Sequence, residues 1–549
     1  MKKLKKNVIL LFIVIFCEAF LSSCTGEIKQ EEVNAYARAS LFCDVSWWEI
    51  PLWKEEEGTI TGDISKKTGI TLDIIQPTQK ADTQLKIMLL NDELPDIISV
   101  TDSITISQIV DSGKVWKIDE FLETYKPDSH ILQDFPEDIR QELIKRDGGW
   151  YAFPSHMNSA DARQYWQPVP DMEKVVEYND NNAIIWNRAL LDRMGLSVEN
   201  LQTQEEVMAA FELAKDKELQ VNGEDVIVLL VDGKEYQDPT LKYLEGSFGA
   251  EWIDDEGNYM DILLQPQAKN ALQFLNTAMR LSYMQPEQFA MENRQIKEFM
   301  NSGRVLCFIG NVANTAVNFA DWVSSGVILS SDGSTPVMGK NMRASTGWIS
   351  TFISKDCENP KEVAAFLDYM TSDEGMTFWS YGYEGTDYYV GDDGYYYRLN
   401  MDAAKEYAKT GVWAWWMFSN SAWERSVSIQ RSDNQRAEYD VTTAYGMHER
   451  TVLYDSSLLL MSVDMASTES ESGRMEKEIE EWKESQILKT LLAESESAFE
   501  SEYDILISGL YDRGIEQLDQ YKNEAYQKNC HEYGKSIEKI NKTGRFSEE

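Results

Sequence analysis

The side chains of this chain best suited to chemistry are aromatic rings and hydrogen-bonding groups placed just after predicted strands. Trp47 and Trp48 follow a strand expected at 39–45, and Asp102 follows one expected at 96–100. In open α/β sheets ligands sit beyond the carboxyl ends of the strands, which makes these positions candidates for ligand contact. Asn158 comes shortly after the aromatic strand expected at 150–153 and offers donor and acceptor on one side chain. Trp348, the loop Tyr383-Glu384-Gly385 and Trp413 complete the set, in a chain with 16 Trp and 26 Tyr. The chemistry such groups offer is non-covalent. Trp and Tyr stack on the apolar C–H face of a saturated ring, and Asp, Asn and Glu satisfy its hydroxyls as water is excluded.

Each position also has a structural alternative. One of Trp47 and Trp48 is expected in the core. Asp102 serves equally well as the N-cap of a helix from Ile104 onward. Trp348 can pack inside a lobe, and Glu384 can anchor its own loop. Trp413 and Trp415 would share one face of a strand with Trp416 opposite, so that one ring lines a site and the others a core.

Covalent chemistry finds no support. No H-E-x-x-H, G-x-S-x-G or G-x-x-x-x-G-K-[ST] occurs. Ser536-Ile537-Glu538-Lys539 spells S-x-x-K, but within a polar tail. With 93 acidic residues, carboxylate pairs roughly 5 Å apart arise in any fold and carry no hydrolase signal. Cys43, Cys307, Cys357 and Cys530 form no C-x-x-C pair, so neither a zinc nor a redox centre is expected. No cofactor and no metal are expected. The formal net charge of −41 excludes nucleic-acid binding, which needs basic patches, and disfavours adsorption to anionic lipid.

The chain begins with a basic stretch, Met1 to Lys6, then an apolar run from Val8 to Cys17 and a close at Leu21-Ser22-Ser23-Cys24. That order is a secretory signal, and its apolar run is shorter than the roughly 20 residues that span a bilayer. Leu21 to Cys24 resembles the bacterial lipobox, which implies cleavage before Cys24, lipidation of Cys24 and attachment to the outer face of the cell membrane. Residues 1–23 then form the signal and 24–36 a polar tether.

Beyond the tether, short apolar strands alternate with helices, the pattern of parallel βαβ units. Asn187 is placed to cap a helix to Met194 that Gly195 ends. Thr203 with Glu206 has the spacing of a capping box. Residues 267–281 form a long amphipathic helix, 362–370 repeats that style, and from Ser467 onward the chain is acidic and helix-forming, with a solvated face over 469–481. At 549 residues the chain is long enough for more than one lobe.

Several phrases occur together in a specific order: Asn91-Asp92-Glu93-Leu94-Pro95-Asp96-Ile97, Gly149-Trp150-Tyr151-Ala152-Phe153-Pro154, Phe299-Met300-Asn301-Ser302-Gly303-Arg304-Val305, and Ile353-Ser354-Lys355-Asp356-Cys357-Glu358-Asn359-Pro360. Tyr381-Gly382-Tyr383-Glu384-Gly385-Thr386-Asp387-Tyr388 follows, and Gly514 to Tyr521 closes the series. Together they resemble the extracellular solute-binding proteins of bacterial ABC importers, in the large lipoprotein branch of the carbohydrate-uptake type. The acidic stretch 467–481 is longer than that family usually carries.

The resemblance implies a two-lobed α/β fold of the periplasmic-binding-protein-like type II, with hinge strands and a helical C-terminal extension. Lobe 1 is expected at 37–154 plus 303–347 and lobe 2 at 155–302 plus 348–549, with crossings near Pro154, Gly303 and Trp348. It further implies a monomer that captures a carbohydrate, an oligosaccharide above all, in the interlobe cleft, and passes it to the permease subunits without catalysing a reaction. A peptide receptor of the same fold, a secreted glycan-active enzyme and a surface adhesin are the alternatives. The −41 charge argues against a polyanionic glycan unless the cleft itself is basic.

Overall fold

The computed structural model describes residues 36–45, 50–77, 80–172, 177–341, 344–345, 347–399, 410–428, 433–459, 470–534, 539–541 and 544–545. The expected signal, Cys24, nearly all of the tether, and Trp47 and Trp48 lie outside these residues.

The early strands are β1 (Ala37–Cys43), β2 (Ile70–Ile75), β3 (Ile97–Val100) and β4 (Phe153–Pro154). The middle of the chain supplies β5 (Asn182–Asn187), β6 (Ile227–Val231), β7 (Val305–Asn311) and β8 (Trp322–Val323). Later come β9 (Val337–Lys340), β10 (Ser350–Ile353), the hairpin strands β11 (Tyr388–Val390) and β12 (Tyr396–Arg398), and β13 (Val452–Asp455). The helices that matter below are α1 (Ile60–Thr68), α2 (Ser103–Asp111), α3 (Ala160–Tyr165), α4 (Gln204–Asp216), α5 (Pro266–Arg280), α6 (Pro360–Thr371), α7 (Asp373–Tyr381), α8 (Ser421–Val427), α9 (Glu471–Leu491), α10 (Glu496–Asp512) and α11 (Ile515–Tyr533).

The first sheet runs β2-β1-β3-β10-β4. β1 and β3 are parallel, with Phe42 opposite Ile98, and β10 returns antiparallel, with Phe352 opposite Ile98. Every residue of β3 and β10 is buried, as expected of strands covered on both faces. The polar exceptions satisfy each other: Ser99 Oγ and Thr351 Oγ1 are 2.9 Å apart. α6 packs on β2 and α1 at this sheet.

The second sheet runs β8-β5-β7-β6. β7 sits between β5, to which it is antiparallel, and β6, to which it is parallel. Its core holds Trp186, Phe211, Tyr243, Phe248 and Phe274. α4 opens on a capping box: Thr203 Oγ1 accepts from the Glu206 N–H at 3.2 Å, and Glu206 Oε2 accepts from the Thr203 N–H at 3.0 Å. Ahead of α4, Asn187 caps the helix Arg188–Met194 as expected, accepting from the Leu190 N–H at 3.2 Å.

Strand pairing corrects the expected division of the chain. Residues 303–347 were assigned with the first sheet, yet β7 is the middle of the second. Residues from 348 onward were assigned with the second sheet, yet β10 and α6 belong with the first. Gly303, expected at a crossing, has φ 74° in the turn after the helix Asn293–Met300 and precedes β7 within one sheet. Chain passes between the sheets do occur around 154–159 and 344–350, where Asn158–Ser159 pairs antiparallel with Ala344–Ser345.

The C-terminal third is helical. α9, α10 and α11 pack onto the second core through Ile479, Ile487, Leu491, Phe499, Leu506, Leu510 and Leu518. From Ser470 the acidic stretch is the start of α9: Ser470 caps it, and its glutamates cover the solvent side of a helix whose inner face is buried.

Candidate functional site

β1 and β3 end at Cys43 and Val100, and the antiparallel β10 begins at Ser350 opposite Val100. The segments Asp44, Thr101–Asp102 and Trp348–Ile349 therefore meet at one edge of the first sheet. Asp44 Oδ2 accepts from the Thr101 N–H at 2.8 Å and from its hydroxyl at 3.1 Å. Asp44 Oδ1 is buried with no hydrogen-bond partner among the described residues. Burial pushes the Asp44 carboxyl up to about 6 against the Thr101 bonds, and neighbouring Asp102 adds to the rise. Asp102 itself takes the cap role: its Oδ2 accepts from the Thr105 N–H and hydroxyl at 2.7 and 2.6 Å and opens α2.

Trp348 is fixed by its backbone. Gly347 has φ 60°, and a Cβ there would lie 2.0 Å from the Ser155 carbonyl oxygen, so a residue with a side chain does not fit. The Ile349 N–H donates to Ser155 Oγ at 3.1 Å, and the same hydroxyl is 2.9 Å from His156 Nδ1. Trp348 remains 38% exposed, which places it at a surface and not in a core. Its ring centroid lies 5.7 Å from the His156 ring and 6.5 Å from Trp416, and Trp416 lies 6.5 Å from Trp413. The Arg398 guanidinium stands 5.4 Å over Trp413 and 4.4 Å over Tyr381. A run of rings thus extends from His156 to Tyr381. Trp413 is not on a strand as expected: it has φ 56°, and a 3-10 turn, Trp416–Phe418, follows it.

Asn158 adjoins this run, two residues beyond His156. Its Oδ1 accepts from Arg163 Nη1 at 2.9 Å, with Arg163 on α3. Arg425 on α8 is close enough to act on both His156 and Lys340. Burial, with the Arg425 charge added, pushes His156 down to about 4, so the imidazole is neutral at pH 7. Lys340, at the end of β9, is pushed down to about 7 by burial and by Arg425 and Arg163, while Asp180 and Glu177 oppose the fall. Cationic groups from three distant segments therefore gather beside the rings of a strongly acidic chain.

Tyr383 and Glu384 lie elsewhere. They line an open cavity of about 900 Å³ between α1, α7 and the β11–β12 hairpin, and none of His156, Asn158, Trp348, Trp413 and Trp416 lines it. Sequence reasoning missed Asp44, Arg163, Lys340 and Arg425. Asp44 was hidden because the strand expected at 39–45 runs through it, whereas β1 ends at Cys43; the three cations carried no signal. Among the described residues no cluster of metal ligands occurs, and no helix is long and apolar enough to cross a membrane.

Two sheets of mixed strands with helices on their faces, joined by chain passes that bring ring-bearing segments together, define the class of α/β binding proteins. The model of the bacterial extracellular solute-binding protein family matches residues 53–377, more than half of the chain, and the chain belongs to that family. A curated relative, the polygalacturonan/rhamnogalacturonan-binding protein YtcQ of Bacillus subtilis, is 20% identical over 407 residues, covering 71% of this chain and 75% of the relative. Among solved structures, the Streptococcus pneumoniae ABC-transporter substrate-binding protein FusA, in complex with fructo-nystose, superposes with a TM-score of 0.65 at 14% identity. It covers 91% of this chain and 100% of its own. A solute-binding protein from Bifidobacterium longum infantis, described as binding HMO and associated with an ABC transporter, gives 0.60 at 12% identity over 90% and 99%. The alginate-binding protein AlgQ2 gives 0.56 at 13% over 89% and 98%. The fold is thus that of the periplasmic-binding-protein-like receptors, with a helical C-terminal region, and the proteins matched are binding proteins.

Proposed function

We propose that this chain is a lipid-anchored receptor on the outer face of the cell membrane. It captures an oligosaccharide between its first and second sheets and delivers it to the permease of an ABC importer. The observation that carries this reading is the run of rings around the exposed Trp348, flanked by the amide of Asn158 and a buried oxygen of Asp44 that has no partner among the described residues. That combination stacks on a pyranose face and satisfies its hydroxyls. The matched proteins named for fructo-nystose, alginate and polygalacturonan support a carbohydrate. The protein acts as a monomer without catalysis, and its two halves close on the ligand because only the closed form contacts it from both sides.

Arg163, Lys340 and Arg425 favour a sugar that carries carboxylates. A uronate beside Lys340 would restore the full charge that burial and its cationic neighbours suppress. Calorimetry on the detergent-solubilised full chain tests this. A galacturonate trimer is expected to bind at least about tenfold (~1.4 kcal/mol) more tightly than a neutral glucan trimer, with the sugar recovered intact. Equal affinity removes the uronate preference, a response to peptides alone replaces the carbohydrate, and consumption of the sugar makes the protein an enzyme.

The anchor has its own test. Cys24→Ala is expected to release the chain into the medium, while the native chain stays with the membrane fraction; membrane retention of the variant would overturn lipidation at Cys24.

A further inference from the structure

We propose that the cavity around Tyr383 and Glu384 is a second ligand site and that it takes an ammonium-bearing sugar. At about 900 Å³ it falls in the range of small-molecule sites, roughly 300–1,000 Å³. Its charge is lopsided. Glu57, Asp63, Asp373, Glu374 and Glu384 line it against only Lys66 and Lys67, which leaves three negative charges in excess. Both lysines are already engaged, Lys66 with Glu57 and Lys67 with Glu374 at 2.6 Å. Glu384 is exposed and has neither hydrogen-bond nor ion-pair partner among the described residues.

Four phenols line the cavity beside Phe378 and Thr377. Tyr369, Tyr383, Tyr388 and Tyr396 line the same space, and the Tyr383 ring stands edge-on to Phe378 at 5.3 Å. Tyr383 Oη donates to Asp63 Oδ2 at 2.7 Å. Burial, with the adjacent carboxylates adding to it, holds the Tyr369 and Tyr383 hydroxyls well above the usual phenol range.

Uronates and phosphates are repelled by such a cavity. A neutral sugar makes no use of the surplus charge. An ammonium group gains an ion pair with Glu384 and attraction to the tyrosine faces. The hydroxyls of Thr377 and the tyrosines then suit the remaining ring hydroxyls better than they suit a bare alkyl cation. The site shares no lining residue with the ring cluster of Trp348 and stands whether or not that cluster binds an acidic oligosaccharide.

The probe is the β-1,4-linked glucosamine disaccharide, titrated calorimetrically into the detergent-solubilised full chain at 50 and 500 mM NaCl. It is expected to bind at least tenfold more tightly than its di-N-acetyl form, which has the same rings without the charge. Binding should weaken at the higher salt, persist under a saturating galacturonate trimer, and fall at least fivefold in both Glu384→Gln and Tyr396→Ala. Glu384→Gln changes an exposed side chain and keeps the test valid if Tyr396→Ala fails to fold. Equal binding of the acetylated form, full retention in Glu384→Gln, displacement by the galacturonate, or no binding at all would overturn the proposal. Spermidine bound as tightly as the disaccharide would overturn a sugar as the ligand.

Discussion

Lys483→Ala is expected to destabilise the protein by about 3–5 kcal/mol, the scale of a buried charge left without its partner. Lys483 projects from α9, and its Nζ lies 2.6 Å from Asp261 Oδ2 and 2.9 Å from Glu480 Oε1. The lysine and Asp261 side chains are 9% and 2% exposed. Burial alone would lower the lysine, yet Asp261 and Glu480 hold it well above its ordinary value. Buried Glu245 and Asp519 crowd the same place, and burial pushes both up to about 7. The lysine is thus the counter-charge for a carboxylate patch that joins the C-terminal helices to the second core. A raised carboxyl favours the folded state while protonated and loses that contribution as the pH rises through its folded value. The deficit of the variant should therefore grow between pH 5 and pH 8. Urea denaturation at both pH values measures it. Lys483→Met combined with Asp261→Asn removes both charges and should recover most of the loss. A single-variant loss below about 1 kcal/mol would mean that water already solvates Asp261, because a buried unpaired carboxylate cannot be that cheap.

What the sequence disclosed of the fold follows from the range over which each signal acts. The Thr203–Glu206 box and the Asn187 cap were legible because both are closed within three or four residues of chain. The membership of β7 was not. Val305, Leu306, Cys307, Phe308 and Ile309 are all buried, and a strand apolar on both faces fits the middle of any sheet. Only contacts with β5 and β6, separated from it in sequence by scores of residues, decide which one. Gly303 misled for a related reason: a glycine required by a helix-ending turn looks the same in sequence as one required by a hinge. At 413–416 four consecutive residues, three of them Trp, suggested a strand, but a left-handed Trp413 breaks the alternation.

The candidate site divides along the same line. Trp348 was legible because it lies beside a crossing, and Asn158 because it follows another. Asp44 was missed because the strand was expected to run through it to Val45, whereas β1 ends at Cys43, and Asp102 proved to have its acceptor oxygen committed to a helix start. The cations at 163, 340 and 425 stand in unremarkable local sequence. They acquire meaning only when α3, β9 and α8 bring them near one another, among Asp138, Glu177, Asp180 and Glu424, and the proposed uronate preference rests on that grouping. Tyr383 and Glu384, expected with the other candidates, line a separate cavity, since a loop after a helix does not reveal which neighbours will face it.

Trp348→Ala is expected to weaken oligosaccharide binding by about 1–3 kcal/mol, or about 5- to 150-fold in Kd, the scale of a truncated aromatic anchor. The fold should survive, because Trp348 is 38% exposed and the described rings beside it, His156 at a tilt and Trp416 edge-on, do not enclose it in a core. The backbone beneath it is held independently by Gly347 against Ser155 and by the Ile349 hydrogen bond. Trp348→Phe keeps a smaller stacking face and should recover part of the affinity. A substitution acting through backbone disturbance would spare nothing by that change, which separates stacking from structure. Calorimetry against the galacturonate trimer, with circular dichroism to confirm folding, gives the answer. An unchanged Kd in folded Trp348→Ala would take Trp348 out of the site and leave Trp413 and Trp416, deeper in the same run, as the rings that meet the sugar. A loss beyond about 3 kcal/mol would exceed what one stacked ring supplies. It would mean that Trp348 also holds the two halves in the closed state, since the ligand can favour closure only by contacts that the open form lacks.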